Sequence, residues 1–130
     1  MMSMKLKQIV SELSQYNVPI TIFSRGGMDT ISLLTKCNAN MLGIDWTLNF
    51  ANAKNILGNQ VALQGNLDPT VLYGDKSIIK NEVSRVLEVY GNESGHVFNL
   101  GHGILPDISV DNVYLLVEEV KNQSAILRSK

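Results

Sequence analysis

The sequence predicts an α/β fold of four consecutive βα units, resembling half of a (β/α)8 TIM barrel. Three observations predict it. Four short apolar or β-branched runs recur along the chain, and each is followed by a Gly- or Asp-containing loop and then by a stretch of helical apolar spacing. That alternation calls for parallel strands joined by right-handed crossovers. Finally, four units in 130 residues come to about 32 residues each, against about 31 in a barrel of eight units. An open doubly wound sheet would use the same element order, and strand order alone separates the two. No linker or low-complexity run divides residues 1–130, so they read as a single partial domain.

The elements follow in order. Residues 4–16 place Leu6, Ile9, Val10 and Leu13 on one helical stripe, and Asn17 closes it. Residues 18–23 form a β-branched and aromatic run in which Pro19 falls early enough to be tolerated, and Ser24, Arg25, Gly26 and Gly27 end it. Residues 28–37 carry Ile31 and Leu34 at helical spacing, with Asp29 suited to the first turn. Residues 40–45 make the second strand, and 47–57 a helix ended by Gly58. The third strand is 60–64. The fourth helix, 76–90, has Asp75 as its N-cap and Ile78, Ile79, Val83, Val86 and Leu87 on one face. Residues 95–100 are the fourth strand, and Ser109 or Asp111 opens a last helix through Val120, after which the tail is expected to fray.

Eleven basic residues against twelve acidic ones leave a net charge of −1, and the basic residues are scattered. This excludes a polyanion scaffold: no nucleic-acid or anionic-membrane partner is expected. Cys37 is the single cysteine, which rules out an intramolecular disulfide and points to a reducing cytoplasm. Residues 1–7 lack a signal-peptide pattern, and no apolar run reaches bilayer length. Cys37, His96 and His102 have no zinc-ligand spacing, so no metal is expected.

In parallel α/β folds chemistry gathers in the loops at the carboxyl ends of the strands. Here those loops hold Arg25, Asp45, Trp46, Asn66, Asp68 and the run Gly101, His102, Gly103. Glycines on both sides of His102 allow close approach of a ligand while presenting an imidazole, or else they make a tight turn whose His caps carbonyls. Arg25 is the one basic residue in these loops, placed to pair with a ligand carboxylate, with Asp29 or with Asp45. Asp45 and Asp68 read as turn and cap residues ahead of acid–base roles, and Trp46 as packing. Cys37 reads as a buried thiol and His96 as a residue of the structural end of its strand. No third glycine follows the His loop, no Gly-Lys-Ser or Gly-Lys-Thr occurs, and there is no Ser-centred nucleophile elbow.

Three segments in order, 43–46 (GIDW), 63–69 (LQGNLDP) and 98–104 (FNLGHGI), closely resemble the carboxyl-terminal part of uroporphyrinogen decarboxylases. The likeness runs from about Val18 to Ser124, with Pro106 and the run Leu116, Val117, Glu118 included. It implies a cofactor-free cytoplasmic barrel enzyme of haem biosynthesis, commonly a homodimer. Such an enzyme removes the carboxylates of the four acetate side chains of uroporphyrinogen to give coproporphyrinogen, by protonating a pyrrole, losing carbon dioxide and reprotonating the carbon. His102 matches the family's active-site histidine, flanked by Gly101 and Gly103, and Arg25 stands where relatives usually carry lysine in a Phe-x-Lys-Gly turn. The family's pyrrole-binding aspartate, its substrate-binding arginines and its tyrosine belong to the amino-terminal part and match no position here. The partner implied is therefore a second copy or a separate amino-terminal half, alongside the tetrapyrrole.

Overall fold

The computed structural model describes residues 2–130, and its element order follows the alternation of apolar runs. Helix α1 (Met2–Leu13) leads into strand β1 (Thr21–Phe23), helix α2 (Met28–Leu34) and strand β2 (Met41–Gly43). Helix α3 (Phe50–Leu57), strand β3 (Ala62–Gln64), helix α4 (Lys76–Tyr90), strand β4 (His96–Val97) and helix α5 (Val110–Arg128) complete it.

The sheet has the order β1-β2-β3-β4 with every pair parallel. Sequential order with right-handed crossovers places every connecting helix on the same face, and α2, α3, α4 and α5 do touch one another in succession. This settles the architecture as half of a (β/α)8 barrel, since a doubly wound sheet would reverse its order and carry helices on both faces.

The helix-covered face is the core. Ile22, Leu42 and Leu63 are in register across it, and all three are buried. From the helices, Ile31, Leu34, Ala53, Leu57, Ile79, Val83 and Val86 close over them. Each fully buried aliphatic side chain contributes about 1.5–3 kcal/mol. On the other face, Thr21, Phe23 and Val97 are exposed. Among the described residues nothing covers that face, and β1 and β4 each keep one open edge.

The strands are shorter than the sequence runs. Pro19 offers no N–H, and of the run 18–20 only Ile20 bonds to the neighbouring strand, its N–H donating to Asn40 Oδ1 at 2.7 Å and its carbonyl accepting from the Asn40 and Met41 N–H groups at 2.9 and 3.2 Å. At the far side, β4 spans two residues, and pairing resumes only at an isolated bridge between Leu67 and Leu100. The helix expected from Thr47 begins at Phe50 because Asn49, not Asp45, is its N-cap, accepting from the Asn52 N–H at 3.0 Å. Residues 14–16 and 35–37, expected as α-helix, tighten into 3₁₀ turns that end at Asn17 and Asn38, both with positive φ.

Asp75 caps α4 as expected, its carboxylate accepting from the Ile78 N–H at 3.0 Å, but Ile78 is half exposed and Tyr90 takes the buried place at the helix end. The tail does not fray at Val120: α5 runs to Arg128, anchored where Gln123 donates to the Lys80 carbonyl at 3.1 Å and where Leu127 packs on the core. On α1 only Val10 of the stripe is buried, while Ile9 and Leu13 stay exposed.

Candidate functional site at the carboxyl ends of the strands

The ends of β1 and β4 bring together two residues far apart in the chain. Arg25, just after β1, places Nη2 2.8 Å from Nε2 of His102, which lies in the loop after β4. The same Nη2 lies 3.4 Å from Nδ1 of the ring, and because a guanidinium can only donate, the imidazole is the acceptor in this contact. Both side chains remain exposed. They form a cationic ledge whose remaining N–H groups point to solvent, and a planar guanidinium suits a ligand carboxylate.

Beside the ledge a groove of about 440 Å³ opens on the bare face of the sheet, with Phe23, Ile44, Leu100 and Ile104 as its apolar wall and Gln64, Asn99 and His102 as polar points. Gly103 also lines it, and a Cβ there would meet no atom within 4 Å. A larger groove, about 690 Å³, lies at the amino ends of the strands between Asn40, Gln60 and Glu93. That is the end of a barrel unit where residues serve stability and not chemistry, so the smaller groove is the candidate site.

Gly101 is buried for a reason specific to this loop. Its carbonyl accepts from the Trp46 N–H at 3.3 Å and its N–H donates to the Leu67 carbonyl at 2.7 Å. A Cβ on it would lie 2.3 Å from the Trp46 nitrogen. The indole itself is half exposed, so Trp46 contributes backbone more than ring.

Asp45 and Asp68 are not in the groove as free carboxylates. Asp45 is 5% exposed, and its Oδ1 accepts from the Thr47 N–H at 3.2 Å in the turn that precedes α3. Asp68 accepts from both the N–H and the hydroxyl of Thr70, capping the 3₁₀ segment Pro69–Tyr73. Neither pairs with Arg25. Cys37 is buried and inert in position, its thiol 3.4 Å from the Ser3 carbonyl.

Two residues have more to do than the sequence reading gave them. Asn66 is 4% exposed, and its Nδ2 donates to the carbonyls of Asp45 at 3.0 Å and Leu48 at 2.8 Å, tying the loop after β3 to the loop after β2. A Gly-Asn pair next to a buried strand carries that signal faintly, because a buried amide must find partners. His96 starts β4 at its amino end, as expected, yet its Nε2 lies 2.9 Å from the Gly65 carbonyl, so it supports the same loop from the helix side. The ring stacks on Tyr90 at 4.5 Å between centroids, with Phe50 at 5.2 Å.

Burial pushes the His96 pKa below its ordinary value; the Gly65 carbonyl opposes this, and Arg128 and Lys54 add to it. The unfolded chain then binds a proton in a range where the folded chain does not, so stability rises with pH through that range. His96 stability is present above about pH 6.5 and is lost as the pH falls below it. Urea unfolding is expected to show a falling midpoint from pH 7 to pH 5, with a smaller fall in His96→Phe. Equal slopes in parent and variant would assign the effect to other groups.

Among the described residues no cluster of three or more His, Cys, Asp or Glu side chains is placed to hold a metal ion, and no helix is long and apolar enough to cross a membrane.

Comparison with known proteins agrees with this geometry. The family model described as uroporphyrinogen decarboxylase (URO-D) matches residues 2–123. A uroporphyrinogen decarboxylase of Actinobacillus succinogenes is 44% identical over 123 residues, covering 92% of this chain and 35% of that protein. One from Pseudoalteromonas translucida is 40% identical over 117 residues, covering 90% of this chain and 33% of that protein. Among solved structures, a methyltransferase from Methanosarcina mazei superposes with a TM-score of 0.76 at 25% identity, covering 92% of this chain and 35% of its own. The chain thus spans about a third of the length of the curated relatives it matches. With a family match over nearly its whole length and the half-barrel to go with it, the chain belongs to the uroporphyrinogen decarboxylase family.

Proposed function

We propose that this chain forms one wall of a uroporphyrinogen decarboxylase site, with Arg25 and His102 holding carboxylate side chains of the tetrapyrrole and Gly101 and Gly103 shaping the loop that presents the imidazole. The observation that carries the reading is the 2.8 Å contact between Arg25 and His102 at the rim of an apolar-walled groove. A tetrapyrrole bearing acid groups needs that combination, apolar surface for its rings and donors for its carboxylates. Decarboxylation also needs a free carboxylate to steady the protonated pyrrole. Asp45 and Asp68 are both engaged in turns, which favours binding without turnover by these residues alone. Turnover then belongs to an assembly with the family's amino-terminal half, working without a cofactor in the cytoplasm.

The test is an anaerobic assay on folded protein with reduced uroporphyrinogen, the oxidised products being separated by carboxylate number. The 130-residue chain is expected to retain the tetrapyrrole and to yield no product with fewer carboxylates. Products would show that Asp45 or Asp68 leaves its turn to act, and absence of binding would remove the reading altogether. Arg25→Ala is expected to weaken binding about tenfold, or about 1.4 kcal/mol, read by fluorescence titration. Unchanged affinity would take Arg25 out of the site.

A further inference from the structure

We propose that His96 is a positioning residue for the groove, setting His102 through the loop after β3 from the opposite face of the sheet. For the ligand this rests on the tetrapyrrole reading above; for the loop it rests on hydrogen bonds and packing. Gly65, Asn66 and Leu67 form the hub. Gly65 donates to the Val97 carbonyl at 3.0 Å, and Asn66 ties in Asp45 and Leu48. Leu67 donates to the Asn99 carbonyl at 3.0 Å and accepts from the Gly101 N–H at 2.7 Å. Gly101 in turn accepts from the Trp46 N–H, and His102 follows it. Three consecutive residues thus hold the loops after β2 and β4 together, and the polar points of the groove, Gln64, Asn99 and His102, stand around them.

The first carbonyl of the hub has one donor. Among the described residues no backbone N–H reaches the Gly65 oxygen, and its partner is His96 Nε2 at 2.9 Å. A carbonyl can only accept, so Nε2 carries the hydrogen. His96 is in register with Leu63, which is buried under the helices, so it acts from the covered face. Its ring is held in place by Tyr90, stacked at 4.5 Å, and by Phe50 and Phe98 at 5.2 and 6.1 Å between centroids. On the other side of the carbonyl's own residue there is no slack, since a Cβ on Gly65 would lie 2.8 Å from the Ile44 carbonyl oxygen. An apolar ring would fill the space beside Tyr90 without desolvating two nitrogens. What the imidazole adds is the donor.

Amide hydrogen exchange and titration with reduced uroporphyrinogen, both at about pH 8 where the imidazole is neutral, test this. His96→Phe keeps a ring and removes the donor, whereas His96→Gln removes the ring and keeps an N–H near the place of Nε2. In His96→Phe the N–H groups of Trp46, Leu67 and Gly101 are expected to exchange about tenfold faster and the tetrapyrrole to bind about tenfold more weakly, while Val83 and Val86 of α4 exchange as in the parent. His96→Gln is expected to restore the loop rates and the affinity together. His96→Leu, with neither ring nor donor, repeats the loss should the phenylalanine variant not fold. Parent-like loop rates and affinity in His96→Phe would overturn the proposal, since the ring would then only fill space. So would loop and α4 amides that quicken by one factor, a glutamine variant as weak as the phenylalanine one, or quickened loops with unchanged affinity. A parent that retains no tetrapyrrole would remove the substrate reading alone, and the exchange rates would still decide whether His96 holds the loop.

Discussion

Gly101→Ala is expected to cost about 3 kcal/mol of stability, the upper end of what overpacking costs, and to abolish tetrapyrrole binding with it. The added Cβ would fall 2.3 Å from the Trp46 nitrogen and 2.6 Å from its Cα. Both are backbone atoms and neither can swing aside as a side-chain tip would. The loops after β2 and β4 must part for the methyl to fit, which breaks the hydrogen bond from the Trp46 N–H and disturbs the one to the Leu67 carbonyl. His102 is the next residue, so its contact with Arg25 goes too. Gly103→Ala is the control two residues on. Its Cβ meets nothing within 4 Å, so its unfolding midpoint in urea should stay within about 0.5 kcal/mol of the parent. A Gly101→Ala midpoint equal to that of Gly103→Ala would mean that the two loops do not approach as closely in solution.

The contrast between those two glycines shows what the sequence could and could not reveal. Flanking glycines around a histidine read as one motif, yet one is tight against a neighbouring strand's loop and the other is open. That difference is tertiary. The α/β order and the barrel-like spacing were legible because each unit carries its own period, and α4 was legible almost to the residue because Asp75, the apolar stripe and Gly91 all agree.

The start of α3 was displaced because Asp45 and Asn49 are both good capping residues, and only the fold shows that the Asp45 carboxylate is already spent on Thr47. The end of α5 was missed because residues 121–128 gain helical stability from packing on α4 and from Gln123, neither visible in local propensity. At the site, Arg25 and His102 were each singled out from their loops, but their pairing spans 77 positions and rests on β1 and β4 being the two outer strands of one sheet.

Asn66 is where a small change should have the other large effect. Its amide donates to two carbonyls, those of Asp45 and Leu48, in a place that water reaches poorly. Asn66→Leu keeps the branching and the number of side-chain heavy atoms but leaves both carbonyls without that donor. At about 1–3 kcal/mol for each unsatisfied buried group, the expected loss is about 3 kcal/mol at any pH.

Asn66→Asp keeps the shape and replaces the donor by a carboxylate facing two carbonyl oxygens. The charged form is the one penalised, so the folded-state pKa of this aspartate rises above the unfolded value of about 3.9. In the interval between the two values the folded chain holds a proton that the unfolded chain has released, and stability relative to the parent falls as the pH rises. The expected loss is about 4 kcal/mol at pH 7, narrowing as the solution is acidified and the carboxyl regains an O–H to donate. Urea midpoints of parent, Asn66→Leu and Asn66→Asp at pH 7 and pH 5 separate the two causes: the leucine gap should stay constant while the aspartate gap closes. If both gaps stay constant, the loops are held by packing at this position and not by the donated hydrogen bonds.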